Sequence, residues 1–292
     1  MIGLPAAVAL LLFTVWQAPV AKAAQPPQPE STVRTPIDLA FARLYNFDFA
    51  GALALLDKQA QSDPANPLVQ SVRAGAFLFT ELDRMKILES EFFMDNDNMA
   101  DGASHKTPDP TTRARLFDAL DRAKRAGQAR LAADPYDRDA LLAMCMASGV
   151  EVDYTALVER RTWRSVRIAG ETTKHADTLL KMTPPGYDAY LNFGSLEYIV
   201  GSLPFFIRWF VHYDGIQGSK QRGIEQLKLT AYHGRYYGPF ARILLAVVSL
   251  REKKLGEAQK ILAELAREYP ENPLFKRELA RVEETLRKNG RL

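Results

Sequence analysis

Four histidines could in principle hold a metal or move a proton: His105, His175, His212 and His233. They are scattered, and none forms a His-x-x-x-His pair or a ligand pattern with cysteine, so no metal or cofactor site is expected. The single cysteine, Cys145, lies in the apolar run Leu141-Leu-Ala-Met-Cys-Met. It has no internal disulfide partner and reads as a buried core thiol. Glu151, Asp153 and Glu159 could supply an acid/base pair, but on a helix they suit a solvated face. The loop from Asp95 to Pro110 opens on acidic residues, as a calcium loop does. Its register fails, because Met99 and Ala100 fall where an oxygen ligand and a glycine are needed. His105 in that loop is expected to be solvated. There is no nucleophile elbow and no phosphate-binding glycine loop. With no catalytic constellation, the chain reads as a non-enzyme.

Two aromatic groups remain as binding candidates. The stretch Phe205 to Tyr213 places Trp209 among phenylalanines, with Arg208 and His212 four residues apart on one helical face. It could plug a core, wall a ligand or partner groove, or touch a membrane surface; Arg208, Trp209 and Tyr213 are its candidate contacts. The second group is Tyr232, Arg235, Tyr236 and Tyr237. Tyrosine and arginine are favoured at binding hot spots, although tyrosines at helix hairpins also serve simply as packing.

The elements that must carry these residues are helical. Ala, Leu, Arg and Glu are abundant and β-branched runs are scarce. A chain of 292 residues buries roughly 75% of its unfolded surface, enough for a sizeable core without metal or disulfide. The net charge of +3 falls to +2 without Lys22. Lys and Arg are interspersed with Asp and Glu, so no basic patch for nucleic acid is present.

Residues 1–23 read as a secretory signal peptide. Ile2 to Ala21 carries no charge, and Ala21-Lys22-Ala23 is a small-x-small cleavage site. An uncleaved membrane anchor is the alternative, interrupted by Pro5, Gln17 and Pro19. Residues 24–36 form a Pro-rich linker. Residues 37–292 form the helical domain, placed outside the cytoplasm, periplasmic or secreted.

Within that domain, helix pairs alternate with proline-rich stops. The spacing predicts a hairpin over Ile37–Pro67, a long helix over Leu68–Phe93, and further helices over Thr111–Ala133 and Thr162–Met182. Later helices are expected over Tyr187–Gly201, Lys220–His233, Tyr236–Arg251, Gly256–Tyr269 and Glu271–Lys288. Ala52, Leu56 and Pro64 stand at offsets 0, 4 and 12, and Ala258, Leu262 and Pro270 repeat them. The small residue lets two helices approach, and the proline ends the second. These offsets resemble the second half of a tetratricopeptide repeat.

Gly194 to Phe275 also resembles a group of uncharacterised bacterial tetratricopeptide-like proteins. The matches are Gly201-Ser-Leu-Pro204, Gly215, Gly218, Gly223 through Leu227, and Tyr269-Pro-Glu-Asn-Pro273; Gly218-Ser219 departs from the expected Gly-Asp or Gly-Asn. A fainter similarity, over less than a third of the chain, runs to a eukaryotic tetratricopeptide family linked to the mitochondrial outer membrane and lipid handling. The resemblance implies an all-α, TPR-like antiparallel hairpin solenoid of ten to twelve helices with a concave surface. The function expected is a scaffold or adaptor holding a protein or peptide partner in that groove. The alternative is a small-ligand or lipid carrier using the aromatic insert 204–213.

Overall fold

The structure, a computed structural model, describes residues 34–88, 106–161, 174–202 and 218–290. The signal segment, the loop from Asp95 with His105, and the aromatic insert with Arg208, Trp209, His212 and Tyr213 lie outside the described residues.

Among the described residues there are helices and no strands. Helices α1 (Pro36–Tyr45), α2 (Phe49–Ser62), α3 (Pro67–Arg84), α4 (Pro110–Ala133) and α5 (Arg138–Asp153) build the first half. A helical segment, α6, spans 174–181. Helices α7 (Tyr190–Ser202), α8 (Lys220–His233), α9 (Gly238–Arg251), α10 (Leu255–Glu268) and α11 (Pro273–Lys288) build the second. Neighbours in the chain are mostly neighbours in space: α1 on α2, α2 on α3, α4 on α5, and α8 to α11 in succession. This is the local pairing that short connections impose.

The stops between helices share one chemistry. In Asp63-Pro-Ala-Asn-Pro67, the Asn66 carboxamide oxygen accepts from the amides of Leu68 (3.1 Å) and Val69 (3.2 Å), capping α3. In Tyr269-Pro-Glu-Asn-Pro273, Asn272 accepts from Leu274 N at 2.9 Å and caps α11. Between α4 and α5, Asp137 accepts from Ala140 N at 2.9 Å. Each cap satisfies a donor that the first helical turn leaves without a partner. Ahead of each stop, the small and bulky positions are buried: Ala52 with Leu56, and Ala258 with Leu262. A third set follows the same spacing, since Ala123, Gly127 and Pro135 stand at offsets 0, 4 and 12. Ala123 and Gly127 are both buried in α4.

Helices α3 and α5 form the centre. Every residue of α5 from Ala140 to Ala147 is buried, the pattern of a helix wrapped on all sides. Its run Arg138–Val158 is apolar and long enough to cross a membrane, but most of it is buried inside the fold. Ser71 of α3 donates to the Ala143 carbonyl of α5 at 2.8 Å. Glu81, fully buried, accepts from Arg84 (2.7 and 2.8 Å) and from Asp109 N (2.8 Å), which joins the end of α3 to the cap of α4.

Several boundaries depart from expectation. The long helix expected to reach Phe93 ends at Arg84, because Lys86 turns left-handed (φ 62°) and Ile87 N closes back on Leu82 O at 2.8 Å. The helix expected from Tyr187 opens as a 3-10 turn, Tyr187–Ala189, before α7 proper. Helix α9 starts at Gly238 rather than Tyr236; the amides of residues 235–237, ahead of its first turn, donate to Asp188. The last helix starts at Pro273, with Asn272 as its cap.

Helices α7 and α8 approach closely. A Cβ on Gly223 would lie 2.6 Å from Tyr198 N and 2.7 Å from Gly194 O. One on Gly194 would lie 3.0 Å from Gly223 O, and one on Gly201 2.6 Å from Lys220 N. Gly194 and Gly201 thus serve the close helix contact that their seven-residue spacing indicates.

The two ends of the folded chain also meet. The Tyr45 hydroxyl donates to the Tyr236 carbonyl at 2.7 Å. The Asn272 carboxamide donates to the Tyr45 carbonyl at 2.8 Å, and Glu271 N donates to Asn46 Oδ1 at 3.2 Å. Phe41, Leu44 and Tyr45 share one core with Tyr236, Leu265, Tyr269 and Phe275. In a one-dimensional repeat array each unit touches only its neighbours; at this seam the chain departs from that pattern.

Candidate binding cleft

The seam leaves a cleft of about 260 Å³ between α1, the turn before α9, and the end of α10. Its α1 wall is Arg34, Asp38, Phe41, Ala42, Tyr45 and Asn46, a stripe at helical spacing. Facing it are Arg235, Tyr236 and Pro239, with Glu268 and Tyr269 at one end.

Asp188 sets the facing wall. Its buried carboxylate accepts from the amides of Arg235 (3.0 Å), Tyr236 (3.0 Å) and Tyr237 (2.7 Å) at the start of α9. Burial pushes this carboxyl up, and the three amides pull it back only in part. The turn is therefore held by an acceptor on another element, and Tyr236 is pointed at α1. Its ring stacks on Phe41 at 5.0 Å, and the Arg235 guanidinium lies over it at 4.9 Å.

Asp38 joins the two walls. It closes a capping box with Thr35 and pairs with Arg235 at 3.2 Å. Burial pushes the Asp38 carboxyl up, but Thr35 and Arg235 together outweigh it and hold it below the usual carboxylate value. At the other end Glu268 pairs with Arg242 at 2.5 Å and accepts from the Tyr269 hydroxyl at 2.8 Å. Burial raises the Tyr236 phenol to about 12, and the phenols of Tyr45 and Tyr269 rise as well. The cleft therefore presents neutral hydroxyls near neutral pH and no phenolate nucleophile.

Of the sequence candidates, the cleft gathers Arg235 and Tyr236. Tyr237, on the same turn, meets Phe41 edge-on at 6.0 Å and is half-buried, outside the cleft lining. Tyr232 is 78% exposed on α8 and stands apart from the cleft. Sequence reasoning missed Arg34, Asp38, Asn46, Glu268 and Tyr269 as lining. Only the α1 stripe and the Tyr-Pro-Glu-Asn-Pro signature signalled them, and each belonged to a separate end of the chain. On α1, Ala40, Phe41, Leu44 and Tyr45 are buried while Leu39 is 40% exposed.

The three carboxylates near the end of α5 do not converge. Glu151 pairs with Lys124, and Glu159 pairs with Arg113 at 2.9 Å. Asp153 forms no ion pair or hydrogen bond with a described residue. It is exposed to solvent, so it stands as a hydrated surface carboxylate. Cys145 is buried, and burial alone raises its thiol to about 12. Among the described residues no group of three or more His, Cys, Asp or Glu side chains could hold a metal ion.

These features define an all-α protein of packed neighbouring helices, with an aromatic cleft where α1 meets residues 235–269. Set beside known proteins, the chain matches no family model, no curated protein and no solved structure.

Proposed function

We propose that this protein is a non-enzymatic, TPR-like scaffold that holds a protein or peptide partner outside the cytoplasm. The supporting observation is the hairpin end used three times. A small residue, a second position four residues on and a proline at offset twelve are followed each time by an Asn or Asp cap, at Asn66, Asp137 and Asn272. Stacked units of this kind present extended surfaces rather than one reactive centre. The described cleft adds to this reading, because both its carboxylates, Asp38 and Glu268, are held in ion pairs and its phenols are neutral. The extracytoplasmic placement rests on the uncharged run Ile2–Ala21 and the Ala21-Lys22-Ala23 site.

The reading is tested by placing a photo-crosslinking residue at Tyr232 and, separately, at Leu39, both exposed, in the living source cell. One discrete adduct from either site, absent from a control at Lys260, is the expected result. No protein adduct from either site, with lipid recovered on the purified chain, overturns the scaffold and favours the carrier that uses 204–213.

A further inference from the structure

Among the described residues, the cleft at the seam has a charge with no ion-pair partner. Asp38 and Arg235 neutralise each other, and Glu268 is neutralised by Arg242. Beside the cleft, the Asp38 amide at the start of α1 already donates to Thr35 Oγ1, and the amides of residues 235–237 ahead of α9 already donate to Asp188. Arg34 is exposed, acts electrostatically on Tyr269, and forms no ion pair with a described residue. A positive charge therefore stands at the edge of a cleft lined by Phe41, Tyr45, Tyr236 and Tyr269.

Size narrows what can enter. A volume of about 260 Å³ is below the usual range of roughly 300–1,000 Å³ for drug-sized ligands. An α-helix, about 10–12 Å across with its side chains, is too wide. One aromatic ring with a short acidic arm is of the right order. An arginine fork suits a carboxylate in two-pronged geometry, and rings favour rings in offset or edge-to-face contact.

We propose that the seam cleft binds a small aromatic monocarboxylate, with Arg34 pairing with the carboxylate and the ring held among the aromatic side chains. The site is already in shape, because Tyr45 is hydrogen-bonded both to the Tyr236 carbonyl and to the Asn272 carboxamide. A ligand touching α1 on one side and residues 235–269 on the other would bind only the closed seam, and so would stabilise the fold by mass action. The inference does not depend on the scaffold reading.

The probe is 3-phenylpropanoate, titrated calorimetrically into the full chain, with 3-phenylpropanamide as the uncharged match. The acid is expected to bind saturably and to raise the melting temperature, and the amide to bind at least about tenfold more weakly. Arg34→Gln should bring the acid down to the level of the amide while leaving the unliganded melting temperature unchanged. Tyr232→Ala, away from the cleft, should bind normally. Equal binding of acid and amide, full binding by Arg34→Gln, or no saturation at all would each overturn the assignment. A pentapeptide ending in phenylalanine separates the sources: if it binds and the free acid does not, the small-molecule ligand is wrong.

Discussion

The hydroxyl of Tyr45 donates to the backbone carbonyl of Tyr236 at 2.7 Å, across 191 positions of sequence. Both residues are buried, so this bond is one of those that hold the first helix against the second half of the chain. Removing it should leave a buried carbonyl without a partner. Tyr45→Phe keeps the ring contacts and is expected to cost about 1–2 kcal/mol. Urea unfolding measures it, and an unchanged midpoint would mean the seam is not closed in solution.

Asn272 has two duties, capping α11 and donating to the Tyr45 carbonyl. Asn66 caps α3 in the same way but makes its other bond locally, to Asp63. Asn272→Ala is therefore expected to destabilise more than Asn66→Ala, by about 1 kcal/mol on top of the roughly 1 kcal/mol of a lost cap. A double-mutant cycle of Asn272→Ala with Tyr45→Phe should be non-additive. Strict additivity would separate the cap from the seam.

The contact between α7 and α8 predicts opposite effects at two glycines. Gly223→Ala would drive a methyl into backbone atoms at 2.6 and 2.7 Å, which cannot rotate away. A loss of about 2–3 kcal/mol is expected, as for an overpacked core. Gly256, on α10, has nothing within 4 Å of an added Cβ, so Gly256→Ala should stabilise by about 0.5 kcal/mol through the unfolded chain. Melting curves of the two variants give the comparison; a tolerated Gly223→Ala would mean the helices stand farther apart.

Cys145 should be silent in the native protein. Burial raises its thiol to about 12, so almost no thiolate exists at neutral pH and no reagent reaches it. A maleimide should leave the native chain unlabelled and modify one site after denaturation, read by mass. Rapid native labelling would show that α5 is not the enclosed centre of the fold.

Much of the helical organisation was legible in the residues. Apolar stripes recur at helical spacing, and the Pro-rich stops with their Asn or Asp caps are local chemistry, settled within five residues of chain. The Gly194 and Gly201 contact was legible too, because seven residues make two turns on one face. Helix ends were less so. Lys86 carries no sequence mark of its left-handed turn, and the turn ahead of α9 is held by Asp188, nearly fifty residues earlier, which takes the amides of 235–237.

The candidate cleft was readable only in fragments. Arg235 and Tyr236 stood out by residue type, but nothing in their own neighbourhood tells a packed tyrosine from an exposed one. Tyr236 is 5% exposed and Tyr232 78%, although the two lie one helical turn apart in sequence. The sequence by itself determined periodicity, caps and stops, because those depend on interactions a few residues long. Only the tertiary structure decided that α1 closes on residues 235–275, because that contact depends on where successive hairpins carry the two ends in space. The cleft and the ion pair of Asp38 with Arg235 follow from that closure.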